Sequence, residues 1–371
     1  GLLAAMPSSS RRGLELDRGT HDLDHAVTVP TGGAGICIRG VHPSETVLYA
    51  GTLVGGADDP QSAAVRAVGQ PNAAKMSTTM TAFSRALATS VTVANPGTIA
   101  AGDRALVSGA NVDGEEVGIA EGAGVVLHEV VQVGAGYAGG AALPLGWHLL
   151  EHRSALPIVA LDPVVDLEIS DLTIDGGDLG PAVGVLLQSC LNVRLRNVWF
   201  RNLPRAGVEG RAGAMDVRLD DVRDAGGMNA LVLVDSVHDW RCRDLGVERR
   251  GQRGNARGTP RPKVFGMRRT TRFSLRGADL SHGDCGGVFF NGGRHLVLED
   301  VHVRDMEVTQ SVYDRMRAQG YQVFNGGFVA GIGFGTEGVA PQADNERAWR
   351  VTLRDCHVEP LRGPAGLLGK L

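Results

Sequence analysis

The chain has few of the features that define most soluble domains. Aromatic residues make up only 5% of its 371 positions. No apolar run approaches the ~20 residues a membrane-spanning helix needs, so membrane insertion is not expected. Five cysteines are an odd number, and no Cys-x-x-Cys or paired histidine motif suggests zinc. Disulfides are therefore not expected to build the fold, and Cys242 and Cys356 read as small core residues. A formal net charge of −4 gives no global signature of nucleic-acid or membrane binding. The first residues lack the basic start and apolar stretch of a signal peptide.

What the chain does have is 53 glycines and a repeated phrase. The phrase reads Asp166-Leu167-Glu168-Ile169-Ser170-Asp171-Leu172-Thr173-Ile174. It returns as Asn192-Val193-Arg194-Leu195-Arg196-Asn197-Val198-Trp199-Phe200, and again around Leu219, Cys242, Leu275, Leu298 and Leu353. Steps between successive markers, starting from Ile169, are 26, 24, 23, 33, 23 and 55 residues. Four of the six lie between 23 and 26, a period typical of solenoids. The last step leaves open one coil with a long insertion or two coils.

Each phrase alternates apolar and polar residues, which is strand periodicity. An Asp or Asn at 171, 197, 221, 244, 300 or 355 interrupts it, and a second alternating run follows. A glycine-led apolar run precedes the next phrase, as at Val183–Leu187 and Ala206–Glu209. The pattern is strand, bend, strand, turn, strand. One such unit cannot bury its apolar side, so the units must stack. The expected fold is all-β: a right-handed parallel β-helix. A leucine-rich repeat is the rival solenoid, but its helical half has no counterpart here. Asp and Asn tolerate tight-turn geometry, so the column of acids reads as a solvated bend ladder rather than a catalytic row.

The start of the chain adds a resemblance. Gly13-Leu14-Glu15-Leu16-Asp17-Arg18-Gly19-Thr20-His21-Asp22-Leu23, then Gly35-Ile36-Cys37-Ile38-Arg39-Gly40, is similar to the first coils of pectate-lyase-like β-helix proteins. Asp17-Arg18 and His21 depart from that pattern. The resemblance implies three segments: first coils in 1–52, an irregular segment with a small β-rich insertion in 53–155, and the main coils in 156–371. Strands of the insertion are expected between residues 91 and 150. Excursions of this kind resemble those of phage tailspikes.

That resemblance also implies where chemistry sits. The substrate groove of such proteins lies along the third-strand sheet and the turns entering it. The candidates there are Asp175, Asp178, Glu209, Asp224, Asp235, His282 and Asp284. Ser281-His282-Gly283-Asp284-Cys285-Gly286-Gly287 resembles a turn of polygalacturonase-type hydrolases, with one acid where that family has two. Inverting hydrolysis needs two carboxyl groups ~6.5–9.5 Å apart. Coils sit ~4.8 Å apart, so Asp284 could pair with Asp224 or Glu209 from a nearby coil. Turn and surface roles are the plainer readings of each acid.

A basic stretch from Arg249 to Arg272 suits carboxylated or sulfated polymers, because guanidinium groups grip such anions bidentately. Arg250, Lys263 and Arg268 are the candidate contacts, and Trp199 and Phe289 are candidate platforms for sugar rings. A solvated loop, or an aromatic packed beneath it, is the alternative. The resemblance thus implies a protein that binds and cleaves an extracellular or capsular polysaccharide as a hydrolase or lyase. The other reading is a non-catalytic structural or receptor-binding module. No cofactor or metal is expected for a hydrolase, whereas a lyase would admit Ca2+. The expected setting is extracellular or virion-associated, in a homotrimer if the tailspike branch applies, with no nucleic-acid partner.

Overall fold

The structure is a computed structural model. It describes residues 12–32, 35–53, 62–75, 77–82, 84, 87–95, 97–109, 127–147, 149–150, 157–177, 180–226, 230–248, 265–281, 286–307, 310, 314, 330–334 and 348–360. Among the described residues, seventeen strands form one coiled sheet in which neighbours pair in parallel. The fold is a right-handed parallel β-helix.

The bends come from local backbone chemistry. Asp171, Asn197, Asp221, Asp244, Asp300 and Asp355 all have φ between 50° and 58°. Their short polar side chains make this left-handed conformation tolerable. In the coil of Phe265–Ser281, which lacks the acid, Gly277 takes the place with φ 62°. A second ladder lies five residues upstream: Asp166, Asn192, Asp216, Asp239, Arg272, His295 and Arg350, with φ from 48° to 57°. Side chains bond between rungs. Asn197 Nδ2 donates to Asp171 Oδ1 at 3.0 Å, and Asn192 Nδ2 donates to Asp166 Oδ1.

Between the two bends lie four residues that alternate inward and outward. Their inward members stack in register: Ile38, Ile169, Leu195, Leu219, Cys242, Leu275, Leu298 and Leu353. The first seven are at most 2% exposed, whereas Leu353, on the last described coil, is 52% exposed. Burying one such side chain contributes roughly 1.5–3 kcal/mol, so the column is a large part of what holds the coils together.

Three of the third strands have glycine as their second residue, Gly184, Gly207 and Gly287, because the interior narrows there. A Cβ on Gly184 would stand 2.6 Å from Phe200 Cδ1, and one on Gly207 would stand 2.9 Å from Phe200 Cδ2. Gly287 meets Val303 in the same way.

Strand Gly286–Arg304 pairs with both Ala330–Phe334 and Ala348–Arg354. The 55-residue step is therefore one coil with a long excursion. Strand Ala230–Glu248 likewise pairs directly with Phe265–Ser281, so the 33-residue step is also one coil. Much of the basic stretch, residues 249–264, lies outside the described residues.

After Ala63–Val68, which belongs to the helix, the chain leaves it and returns at Val164. The excursion is wider than residues 91–150. Its strands Gln70–Pro71, Thr78–Thr79, Arg104–Gly109, Leu127–Gln132 and Pro157–Asp162 form an antiparallel sheet, with a ribbon of Ser90–Thr92 and Ala142–Pro144 beside it. Met80, Val107, Val131 and Leu143 fill a separate small core. Val130, Leu150 and Leu161 join it to Leu191 and Met215 of the helix. A polar contact completes the joint: buried His238 donates from Nε2 to the carbonyl of His128 at 2.6 Å.

The four described cysteines, Cys37, Cys190, Cys242 and Cys356, are free thiols, and Cys242 is buried. Among the described residues no helix is long and apolar enough to cross a membrane.

Candidate functional site at the outer edge of the coils

The run after the Asp/Asn bend presents one outward residue per coil. Register places Val47, Thr173, Trp199, Arg223, Gly246, Asp279, His302 and His357 in this row. Trp199 is half-buried between the inward Val198 and Phe200. His42 meets it edge-on, with ring centroids 6.1 Å apart and planes at 72°. The segment carrying His42 is tied down by Thr173, whose hydroxyl donates to the Pro43 carbonyl at 2.7 Å. The indole N–H is buried and has no acceptor among the described residues. On the next coil Arg223 donates from Nε to Asp221 at 2.9 Å, and its stem lies over Gly246.

Carboxylates mark the ends of these runs. Asp175 Oδ2 accepts from Arg201 Nε at 2.8 Å. Its Oδ1 accepts from Asn202 Nδ2 and from the Gly177 amide, both at 2.9 Å. Asp224 is 2% exposed and accepts the Gly226 amide at 2.8 Å. Both close local turns with their own backbone, as short acidic side chains do. Asp224 lies in register between Phe200 and Val247, and Val247 is followed by Leu280, so its carboxylate stands within an otherwise apolar inward column.

Glu209 points outward from Ala206–Arg211 yet is only 3% exposed. Arg205 grips it bidentately, Nε to Oε2 at 2.6 Å and Nη2 to Oε1 at 2.9 Å. Arg211 adds Nε to Oε1 at 2.7 Å, and its Nη2 reaches the same oxygen. Both oxygens are occupied by charge-assisted bonds, the strong class of hydrogen bond. Proton transfer at Glu209 requires this clamp to open first. A neighbouring row of the third-strand sheet begins with Val68 and is polar on the five coils that follow: Gln188, Arg211, Asp235, Arg268 and Asn291.

The structure thus places Trp199 and Glu209 on one coil and Asp224 on the next. Arg268 and Phe289 are located by backbone register alone, Phe289 in line with Leu233 and Gly266. Asp178, Arg250, Lys263, His282 and Asp284 lie outside the described residues. Among the described residues no group of three or more His, Cys, Asp or Glu is arranged to hold a metal ion.

Sequence reasoning missed Arg201, Arg205 and Arg211. The pair Glu209 and Arg211 was readable, because residues two apart share a strand face. Arg205 was not, because it reaches back from a turn. Further along the outer row, Asp279 forms a bidentate pair with Arg304 and raises that guanidinium above its ordinary value, chiefly through the hydrogen bond.

No protein-family model matches this sequence, and no curated protein matches it. Solved structures do resemble it. Tailspike gp61 of Pseudomonas phage phi297 aligns with 80% of this chain and 50% of its own, at 11% identity and a TM-score of 0.51. Tailspike gp49 of Pseudomonas phage LKA1 aligns with 80% of this chain and 55% of its own, at 13% identity and a TM-score of 0.45. The gp54 tailspike of Acinetobacter baumannii bacteriophage AP22, solved in complex with an A. baumannii capsular saccharide, aligns with 88% and 64%, at 12% identity and 0.37. The chain spans about half the length of the first two. At these identities the likeness is one of fold. The chain therefore has the right-handed parallel β-helix fold, which it shares with a phage tailspike.

Proposed function

We propose that the chain binds an extracellular or capsular polysaccharide along the outer edge of its coils, as a virion-associated or cell-surface protein. Trp199 is the observation that carries this reading. It is an indole on the outside of a β-helix, in a row that also carries Thr173, Arg223, Asp279 and two histidines. An aromatic face suits the apolar C–H face of a sugar ring, and its edge suits hydroxyl groups. Arg201 and Arg223, with side chains 44% and 54% exposed, stand beside it to engage carboxylates or hydroxyls. Because the coils repeat, outward side chains recur along the axis at a spacing of ~4.8 Å, which fits an extended polymer better than a small molecule.

Cleavage is the finer proposal. Asp284 and His282 are its reacting groups, and Asp224 is the second carboxylate. Glu209 serves in this reading to hold Arg205 and Arg211. A lyase version would take Ca2+ to neutralise the sugar carboxylate, with His282, Lys263 or Arg268 as base. The non-catalytic alternative draws support from Glu209 and Asp224, whose oxygens are already engaged by guanidinium groups or turn amides. We also propose a homotrimer, to be read by sedimentation.

Incubation with a panel of neutral and acidic polysaccharides tests cleavage, with assays for reducing ends and for unsaturated products. Reducing ends that disappear in Asp284→Ala support the hydrolase. Unsaturated products replace it with a lyase. Binding without either product sinks the enzyme and leaves the binding module.

A further inference from the structure

Two histidines stand on adjacent coils at the far end of the outer row. His302 of Gly286–Arg304 pairs in register with His357 of His357–Val358. Each follows a bend aspartate by two residues, in Asp300-Val301-His302 and Asp355-Cys356-His357. The imidazole centroids are 6.1 Å apart, with planes at 50°. The His302 side chain is 51% exposed and His357 is exposed, so both rings can turn without disturbing the core.

Asp300 sets the chemistry of His302. Its Oδ1 lies 3.0 Å from His302 Nε2. An ionised carboxylate only accepts hydrogen bonds, so Nε2 carries the proton and donates it. In the neutral ring Nδ1 is then a bare lone pair. A carboxylate behind a histidine in this way is the usual support of a metal-bound imidazole. His357 on the next coil supplies the second ring. Two imidazoles bound to one Zn2+ at ~2.0–2.1 Å have centroids ~4.5–5.5 Å apart, so this pair needs to close by only ~1 Å. The surrounding charge favours a cation. Arg276 and Arg354 share Glu299 at 3.2 and 3.0 Å, and Asp279 holds Arg304 bidentately. Asp300, Asp355 and Glu359 outnumber the one guanidinium charge that Glu299 leaves unbalanced.

Imidazole suits zinc, copper and nickel, whereas Ca2+ and Mg2+ seek oxygen. We propose that His302 and His357 together bind one imidazole-preferring divalent ion such as Zn2+, with Asp300 holding His302 in the ligating tautomer. Two protein donors leave the remaining positions to water. The ion ties the coil of Ala348–Val358 to the coil before it. That coil is the last described, and its inward Leu353 and Val358 are 52% and 44% exposed, so it has the least packing to hold it in place. The site lies four coils along the row from Trp199 and does not depend on sugar binding there.

Isothermal titration of the full chain with zinc chloride and with calcium chloride tests it. Zn2+ should bind, and Ca2+ should not compete. Asp300→Asn keeps a residue that tolerates the bend but loses the carboxylate, and it should weaken Zn2+ by about tenfold, the usual cost of losing such a support. His302→Ala and His357→Ala should each cost at least as much. His21→Ala, on an early coil, should bind Zn2+ as the parent does. Circular dichroism checks the fold of each variant. Amide exchange read by mass spectrometry should slow across Ala348–Val358 when Zn2+ is added to the parent, and not in His357→Ala. No Zn2+ binding, equal binding of Ca2+, unchanged affinity in Asp300→Asn or in either His302→Ala or His357→Ala, loss in His21→Ala, or exchange that Zn2+ leaves unaltered would each overturn the proposal.

Discussion

Trp240 packs so closely on Gly210 that a Cβ added to the glycine would lie 2.3 Å from the indole Cζ2. The indole is fully buried and donates from Nε1 to the Ala214 carbonyl at 3.1 Å. Gly210→Ala must therefore push the ring off its hydrogen bond or spread two coils. The expected cost is ~1–3 kcal/mol, the usual range for overpacking. Chemical denaturation measures it, and an unchanged midpoint would show that the interior has slack here.

Asn197 holds the bend ladder in two ways: by its φ of 52° and by its bond to Asp171. Asn197→Ala loses the bond and keeps the backbone strain, for about 1–2 kcal/mol. Asn197→Gly loses the bond but relaxes the strain, so it should be the milder change. The reverse order of thermal midpoints would contradict the backbone account.

Glu209→Gln distinguishes a clamp from a proton donor. The Arg205 side chain is 12% exposed and that of Arg211 is 26%, so the substitution leaves two poorly solvated cations facing an amide. A loss of roughly 3 kcal/mol is expected for breaking such a pair from one side. A stable variant that loses only a polysaccharide-cleaving activity would instead place Glu209 in the reaction.

Two thiols should be silent. Burial pushes the Cys190 thiol up to about 12 from 9.0, and burial, then the charge of Asp220, raises Cys242 as well. In the folded chain both should resist a thiol reagent at pH 8 and react only on unfolding. Because the folded pKa is raised, the protonated thiols add stability below about pH 9 that is lost as pH rises toward 12. A thermal midpoint that holds constant from pH 9 to 11 would contradict this, as would rapid labelling of the native protein.

The coil was readable because its rules are local. The acid at 171, 197 or 221 marks a positive φ, and the alternation around it marks which residues go inside. Even the glycine at 184 and 207 was visible near the start of a strand, although its reason, Phe200, needs the packed interior. The upstream ladder was harder to see, since Arg272, His295 and Arg350 occupy positions where other coils use Asp or Asn. The outer edge was less legible still. Alternation shows that Glu209 faces outward, but not that Arg205 folds back over it. The pair of His302 and His357 was half visible, because Asp-x-His recurs at 300–302 and 355–357, but the 55-residue step between them hid that the two coils are neighbours.

The central claim is that sugar binds at the outer edge of the coils through Trp199. Titration of the parent and of Trp199→Ala with the polysaccharide that emerges from the panel tests it most directly. The account predicts that the variant, folded like the parent by circular dichroism, binds about tenfold or more weakly, in line with an aromatic platform worth ~1.5 kcal/mol. Equal affinity in the two proteins would contradict it.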